Sequence, residues 1–442
     1  MAGVLLLVGV CAPPGVWEYD AAWAARHPTD HDAIARAVAP DIFSPPPLGV
    51  PLGGPAFNAS FANPCWHEEG TRKLRCLPAF YLIGGFQCAV HDLGRRIALS
   101  ADAVTPANMF HAFWSSGAGF GGDWGRFVRL MDKAVPRIQR QPRSALAFIA
   151  NPAMLAFTWA EHARVHDSFA RTVGACWKRC RKELQPSEVA ELCKDKKYKL
   201  DHCLRLAYEQ DPASAVGPAG VEFTLPQLMR RAHGANVKLV ALLRNPADRL
   251  WSAFFSYGQF RGKYGDGEAG VAAYFAEQSA AFARCASRYD RRTCALRLES
   301  LGQAWQDIFY HCDQLIKSMY SVFVHEWQLA FGPARLLLVR SEEYMNVQTT
   351  GAALGKVLRF VGLPSDDAAV SALIAGRVKS GASRGTRATH ARSWTMSVEL
   401  RARIDAFYAP FNDHLAELSG DDAYRRWPVH MPATTPDGSP HR

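Results

Sequence analysis

Two short stretches bring together residue types suited to holding an anion. In the first, Phe80-Tyr81-Leu82-Ile83 runs into Gly84-Gly85, and Phe86-Gln87-Cys88-Ala89-Val90-His91-Asp92 follows before an apolar pattern of Leu93, Ile97 and Leu99. In the second, Lys238-Leu239-Val240-Ala241-Leu242-Leu243 leads into Arg244-Asn245-Pro246, with Arg249 and Ser252 beyond. A glycine-led loop at the start of a helix presents backbone N–H groups and a positive dipole end to a phosphate or sulfate. An arginine fork matches the same oxygens with paired hydrogen bonds. His91 and His111 are groups that titrate near neutral pH. Taken alone, the first stretch reads equally as an ordinary βα turn.

Both stretches need a strand to deliver the loop and a helix to receive it. The apolar runs 80–83 and 238–243 have the length of strands covered on both faces. Asp92 stands where it would cap the helix carrying Leu93 and Ile97. Asn245-Pro246 turns the chain sharply into a second helix, leaving Arg244 at the carboxyl end of its strand, where ligands bind in open α/β sheets. Ser252 follows eight positions later, about two helical turns on, and Arg249 shares its face by a spacing of three.

The chain has 442 residues, 48% of them hydrophobic, and a formal charge of +10. Such a length buries one large core, so one elaborated domain is expected. The positive charge favours anionic partners such as nucleotides or acidic glycans. No nucleic-acid-binding module pattern is present. Residues 1–12 contain Val4-Leu5-Leu6-Leu7-Val8, too short to span a bilayer, and read as a signal peptide or the remnant of a membrane anchor. No later run reaches the roughly twenty apolar residues a span requires.

Eleven cysteines bear on compartment. None forms a CxxC pair. Cys176, Cys180, Cys193 and Cys203 allow a zinc reading, but without close pairs disulfides in an oxidising lumen are the better expectation. The sequon Asn58-Ala59-Ser60 agrees with secretion. Cys65 and Cys76, if paired, close a small loop directly before the first strand.

Residues 13–60 are Pro- and Gly-rich and form an irregular lead-in. Further strands are expected within 104–114, at 144–149 and at 334–340. Helices are expected over 127–138, from 153 onward, and over 225–232, 313–331, 349–361 and 397–408, with Tyr408-Ala409-Pro410-Phe411-Asn412 ending the last. A basic, cysteine-bearing insertion spans about 176–211, either a solvated face or a clamp for an acidic polymer. Residues 379–387 form a polar, basic loop, and 429–442 a disordered tail.

Leu82-Ile83-Gly84, the run Arg244-Asn245-Pro246-x-x-Arg249-Leu250-x-Ser252, the segment Leu336 to Tyr344 and the ending Phe407-Tyr408-x-Pro410-Phe411-Asn412 together resemble the Golgi carbohydrate sulfotransferases. Asn63-Pro64-Cys65-Trp66 with Leu74-Arg75-Cys76-Leu77-Pro78 is most similar to the branch containing N-acetylgalactosamine 4-sulfate 6-O-sulfotransferase. The resemblance covers about residues 61–428, taken as the catalytic domain. It implies an α/β, P-loop-like sulfotransferase fold, a central parallel sheet flanked by helices. A P-loop kinase is the weaker alternative, since Gly-Lys-Ser or Gly-Lys-Thr does not follow the first strand.

The resemblance also implies 3′-phosphoadenosine 5′-phosphosulfate (PAPS) as co-substrate, a carbohydrate hydroxyl of glycosaminoglycan type as acceptor, no metal, and residence in the Golgi lumen. Membrane contact would come only through an N-terminal anchor. Arg244 and Ser252 would hold the 3′-phosphate, and the loop Gln87, Cys88, Ala89, Val90, His91 and Asp92 the 5′-phosphosulfate. Two departures bear on catalysis. Gln87 stands where the family has a lysine, and its catalytic glutamate falls on Met109 or, in a register shifted by one, on Phe110. His111 is then the candidate base. The alternative is a catalytically impaired relative that binds nucleotide or acidic glycan without turnover.

Overall fold

The computed structural model describes residues 30–43, 50, 56–115, 122–157, 164–183, 203–211, 223–256, 258–298, 313–376 and 395–428. The expected leader (1–12), most of the lead-in, residues 184–202 of the basic insertion, the 379–387 loop and the 429–442 tail lie outside these residues.

Seven strands are present among the described residues: β1 (Cys65–His67), β2 (Leu74–Cys76), β3 (Phe80–Gly84), β4 (Ala103–Val104), β5 (Leu146–Ala150), β6 (Lys238–Leu243) and β7 (Leu336–Arg340). β1 and β2 form an antiparallel ribbon in which Cys65 faces Cys76. The other five form one parallel sheet in the order β4-β5-β3-β6-β7. The helices that cover this sheet or brace its loops include α1 (Val90–Ile97), α2 (Pro246–Ser256), α3 (Tyr320–Phe331), α4 (Ser341–Met345), α5 (Thr350–Val361) and α6 (Val398–Ser419).

The apolar runs are buried because the sheet is covered on both faces. Tyr81, Ile83, Ile149, Leu239, Ala241 and Leu243 point to one side, into a cluster with Trp114 and with Trp327 of α3. Their alternating neighbours Phe80, Leu82, Phe148, Val240 and Leu242 face the other side, against Leu93 and Ile97 of α1 and Leu354 and Leu358 of α5. Each large apolar side chain so buried contributes about 1.5–3 kcal/mol. Gly84 is required by packing, since a Cβ there would lie 2.2 Å from that of Leu155.

Strand order places a topological switch at β3. From β3 the chain crosses to the edge strand β4 and returns to β5 beside β3, then passes to β6 and β7 on the other side. The carboxyl ends of β3 and β6 flank this switch, the usual ligand position in such sheets.

Several expectations require correction. The strand expected within 104–114 is only Ala103–Val104, because Pro106 lacks the N–H a ladder needs. The 127–138 helix is three pieces, Trp124–Leu130, a 3-10 turn at Met131–Lys133 and Val135–Arg140, the last beginning around Pro136. Residues 153–157 form a turn rather than the expected helix, with the Asn151 side chain accepting from Ala153 N at 3.0 Å. The 313–331 helix breaks at 317–319. Asp92 caps nothing: α1 begins at Val90, with Ala89 as its N-cap at φ +64.

α6 runs through Pro410 to Ser419 rather than ending at 408–412. An interior proline costs about 3 kcal/mol. Tyr408, Phe411 and Leu415 are all buried on that helix, and at about 1.5–3 kcal/mol each their burial outweighs it.

Disulfides join Cys65 to Cys76, as expected, and also Cys176 to Cys203 and Cys285 to Cys294. Among the described residues no group of three or more His, Cys, Asp or Glu is arranged to hold a metal. No described helix is long and apolar enough to cross a membrane.

Candidate functional site

The β3–α1 loop and the first turn of α2 meet at the switch point. Gly85 N donates to the Leu242 carbonyl, binding the loop after β3 to the neighbouring strand. Gln87 and Ala89 both have φ +64, the left-handed region that lets a short loop reverse its peptide planes. The first intrahelical bond of α1 runs from Leu93 N to Ala89 O at 3.1 Å. The N–H groups of Val90, His91 and Asp92 precede it and have no partner within the helix.

Gln87 reaches α2. Its Nε2 donates to Ser256 Oγ at 3.1 Å, and Ser252 Oγ donates to its Oε1 at 3.4 Å. Ser256, one turn after Ser252, was not singled out by sequence reasoning, although its spacing of four puts it on the same face. The sequence-derived pair Gln87 and Ser252 is thus brought together, but each occupies the other.

Arg244 is half-buried at the end of β6, and among the described residues its guanidinium has no hydrogen-bond or ion-pair partner. Its backbone is held instead, with Tyr320 Oη donating to the Arg244 carbonyl at 2.9 Å. Glu342 accepts from Asn245 N at 2.7 Å, while its other oxygen is buried without a partner. Burial pushes the Glu342 pKa up, and the nearby Arg244 charge opposes the shift.

Arg249, unlike Ser252, is turned into the interior. It is fully buried, donating through Nη1 to Gln314 Oε1 at 3.1 Å and also to Ser318 Oγ and the Gln314 carbonyl. It ties α2 to the segment before α3.

Other loop side chains are engaged within the protein. The Cys88 thiol is buried 3.8 Å from Tyr320 Oη, and burial pushes its pKa up. Asp92 accepts from Tyr344 Oη at 2.6 Å, which fastens α1 to α4. The His91 ring packs against Phe110 at 4.6 Å between centroids. Burial and then the Arg95 charge lower its pKa, so it supplies no positive charge at neutral pH.

The segment 108–115 lies at the same end of the sheet, with Ala150 N donating to Met109 O at 2.7 Å and Asn151 Nδ2 to His111 O at 3.1 Å. Met109 and Phe110 pack against the apolar cluster. His111 Nδ1 accepts from Phe113 N at 3.2 Å, which puts the proton of the neutral ring on Nε2. Burial and then Arg126 lower its pKa.

Comparison with known proteins bears on the family of this chain. Human carbohydrate sulfotransferase 15 is 24% identical over 375 residues, covering 84% of this chain and 58% of its own length. The chain is related to the carbohydrate sulfotransferases. The mouse protein of the same name is 24% identical over 360 residues, covering 81% of this chain and 56% of its own length, so the chain spans a little over half the length of these curated relatives. No family model matches it. Among solved structures, a sulfotransferase from Alicyclobacillus acidocaldarius overlaps 79% of this chain and 99% of its own at 16% identity and a TM-score of 0.39, too remote to carry an argument. The carbohydrate sulfotransferase relationship stands beside an α/β fold with a central parallel sheet.

Proposed function

We propose that this protein is a sulfotransferase that takes the sulfuryl group of PAPS and delivers it to a carbohydrate hydroxyl of glycosaminoglycan type. The observation that carries the reading is the meeting of the β3–α1 loop with Arg244 and Ser252 at the sheet switch point. Arg244, a guanidinium without a hydrogen-bond or ion-pair partner among the described residues, suits the 3′-phosphate. Ser252 joins it once Gln87 lets go. The N–H groups of Val90 and its neighbours face the 5′-phosphosulfate.

In the transfer, the bond between sulfur and the bridging oxygen breaks and its electron pair stays on that oxygen, leaving 3′-phosphoadenosine 5′-phosphate. The acceptor oxygen forms the new bond to sulfur and gives up its proton. By analogy with phosphoryl transfer, the protein contributes mainly position and charge stabilisation. His111 is the candidate base. To take a proton at Nε2 its ring must release Phe113 N–H and change tautomer, and burial, with the Arg126 charge, lowers its pKa so that it is neutral at neutral pH. The three disulfides among the described residues suit an oxidising lumen such as the Golgi.

The test is thermal stabilisation by 3′-phosphoadenosine 5′-phosphate, expected for wild type and lost in Arg244→Ala. No shift in wild type overturns the nucleotide site. A second reading, a nucleotide- or glycan-binding relative without turnover, is favoured by the neutral Gln87 and the apolar packing of Met109 and Phe110. Radiolabelled sulfate transfer onto chondroitin, dermatan and heparan acceptors separates the two, since only the first reading predicts product.

A further inference from the structure

The loop that would receive the phosphosulfate carries a neutral residue at 87, yet a cation stands beside it. Lys317 lies in the break between the helical turn at 313–316 and α3. Its Nζ is 5.6 Å from the centroid of the Phe86 ring, the residue directly before Gln87. It pairs with Asp313 Oδ2 at 2.7 Å, and the two side chains are only 12% and 19% exposed.

The segment bearing Lys317 is fixed from several directions. Arg249 holds Gln314 and Ser318, and Gln314 Nε2 donates to Asp313 Oδ2 at 2.8 Å. Tyr408 Oη donates to the Leu315 carbonyl at 2.8 Å. A continuous polar path therefore runs from Arg249 of α2 through Gln314 and Asp313 to the Lys317 ammonium over Phe86. An exposed Lys–Asp pair four residues apart would be worth little to stability. This pair is mostly enclosed and sits next to the site, where a fixed cation is effective in low-dielectric surroundings.

We propose that Lys317 is the catalytic cation of the β3–α1 loop, stabilising the charge that gathers on the leaving oxygen, with Asp313 positioning it. The inference rests on the sulfotransferase reading. As sulfur leaves the bridging oxygen, the bond's electron pair collects there, and the Lys317 ammonium on its flexible four-carbon stem supplies the opposing charge. The acceptor's hydroxyl proton goes to His111 or, through water, to solvent, and none passes through Lys317.

The experiment compares wild type, Lys317→Gln, Lys317→Arg and the double variant Lys317→Gln/Gln87→Lys, all as full chains. Affinities for 3′-phosphoadenosine 5′-phosphate and for PAPS are measured beside sulfate transfer. Lys317→Gln is expected to keep its affinity for the desulfated nucleotide while turnover falls about 100-fold. Lys317→Arg should retain most turnover. Moving the charge to the neighbouring position in the double variant should recover at least about tenfold of the loss. Retained nucleotide affinity shows that Lys317→Gln is folded. Wild-type turnover in Lys317→Gln overturns the role of Lys317 alone, as does a loss that Gln87→Lys fails to restore. Wild type that binds nucleotide without transferring sulfate overturns the catalytic role, and wild type that binds neither nucleotide overturns the sulfotransferase reading on which it rests.

Discussion

Tyr320 Oη donates to the carbonyl oxygen of Arg244 at 2.9 Å and lies 3.8 Å from the Cys88 sulfur. One buried phenol of α3 thereby joins the loop after β3 to the loop after β6. Burial pushes its pKa well above the ordinary tyrosine value, so it stays a neutral donor at any working pH. Tyr320→Phe removes the bond and should lower stability by about 1 kcal/mol. Loosening the Arg244 backbone should also weaken binding of 3′-phosphoadenosine 5′-phosphate, read by calorimetry alongside urea unfolding.

The two arginines of the second motif should part company on mutation. Arg249→Ala strands Gln314 and Ser318 in the interior and is expected to cost about 3 kcal/mol or more. Arg244→Ala removes a guanidinium with no hydrogen-bond or ion-pair partner among the described residues, so stability should change by less than about 0.5 kcal/mol while nucleotide binding is lost. Equal destabilisation by both in denaturant melts would contradict this division.

Acid should destabilise the fold through His233. Tyr81 Oη lies 2.8 Å from its Nε2, and complete burial lowers its pKa to about 3. The unfolded chain binds a proton near the ordinary value of 6.5 and the folded chain does not. Stability is therefore fully present above that pH and declines as pH falls toward 3, by up to about 1.4 kcal/mol per unit from this group. Urea melts between pH 8 and 4 should show the decline. His233→Gln should flatten it without abolishing it, since burial also lowers the pKa of His166 beside Asp211.

The Cys65–Cys76 bridge spans a sequence separation of 11 and clamps the β1–β2 ribbon where the chain enters β3. Closing a loop of that size contributes about 2–3 kcal/mol. The double variant Cys65→Ala/Cys76→Ala should therefore unfold at a lower temperature under oxidising conditions. Under reducing conditions its difference from wild type should shrink.

Much of this architecture was legible in the residues themselves. The apolar runs at 80–83, 238–243 and 336–339 announced buried parallel strands, because a sheet covered on both faces demands apolar side chains on both. Asn245-Pro246 marked the turn that leaves Arg244 at a strand end, and Cys65 and Cys76 marked a small closed loop before the first strand. These are local signals, carried by periodicity and backbone chemistry within a few residues. Tertiary structure decided the rest. Spacing alone put Arg249 beside Ser252, but burial beneath Gln314 and Ser318 turned it inward. Pro410 signalled a helix end, and the buried face of α6 overrode it. Lys317 carries no motif and lies about 230 residues from Gln87 in sequence; it stands at the loop only because Arg249 and Gln314 fix the segment that bears it. A charge's chemical role depends on which groups surround it in space, and that is set by long-range packing rather than by its neighbours in the chain.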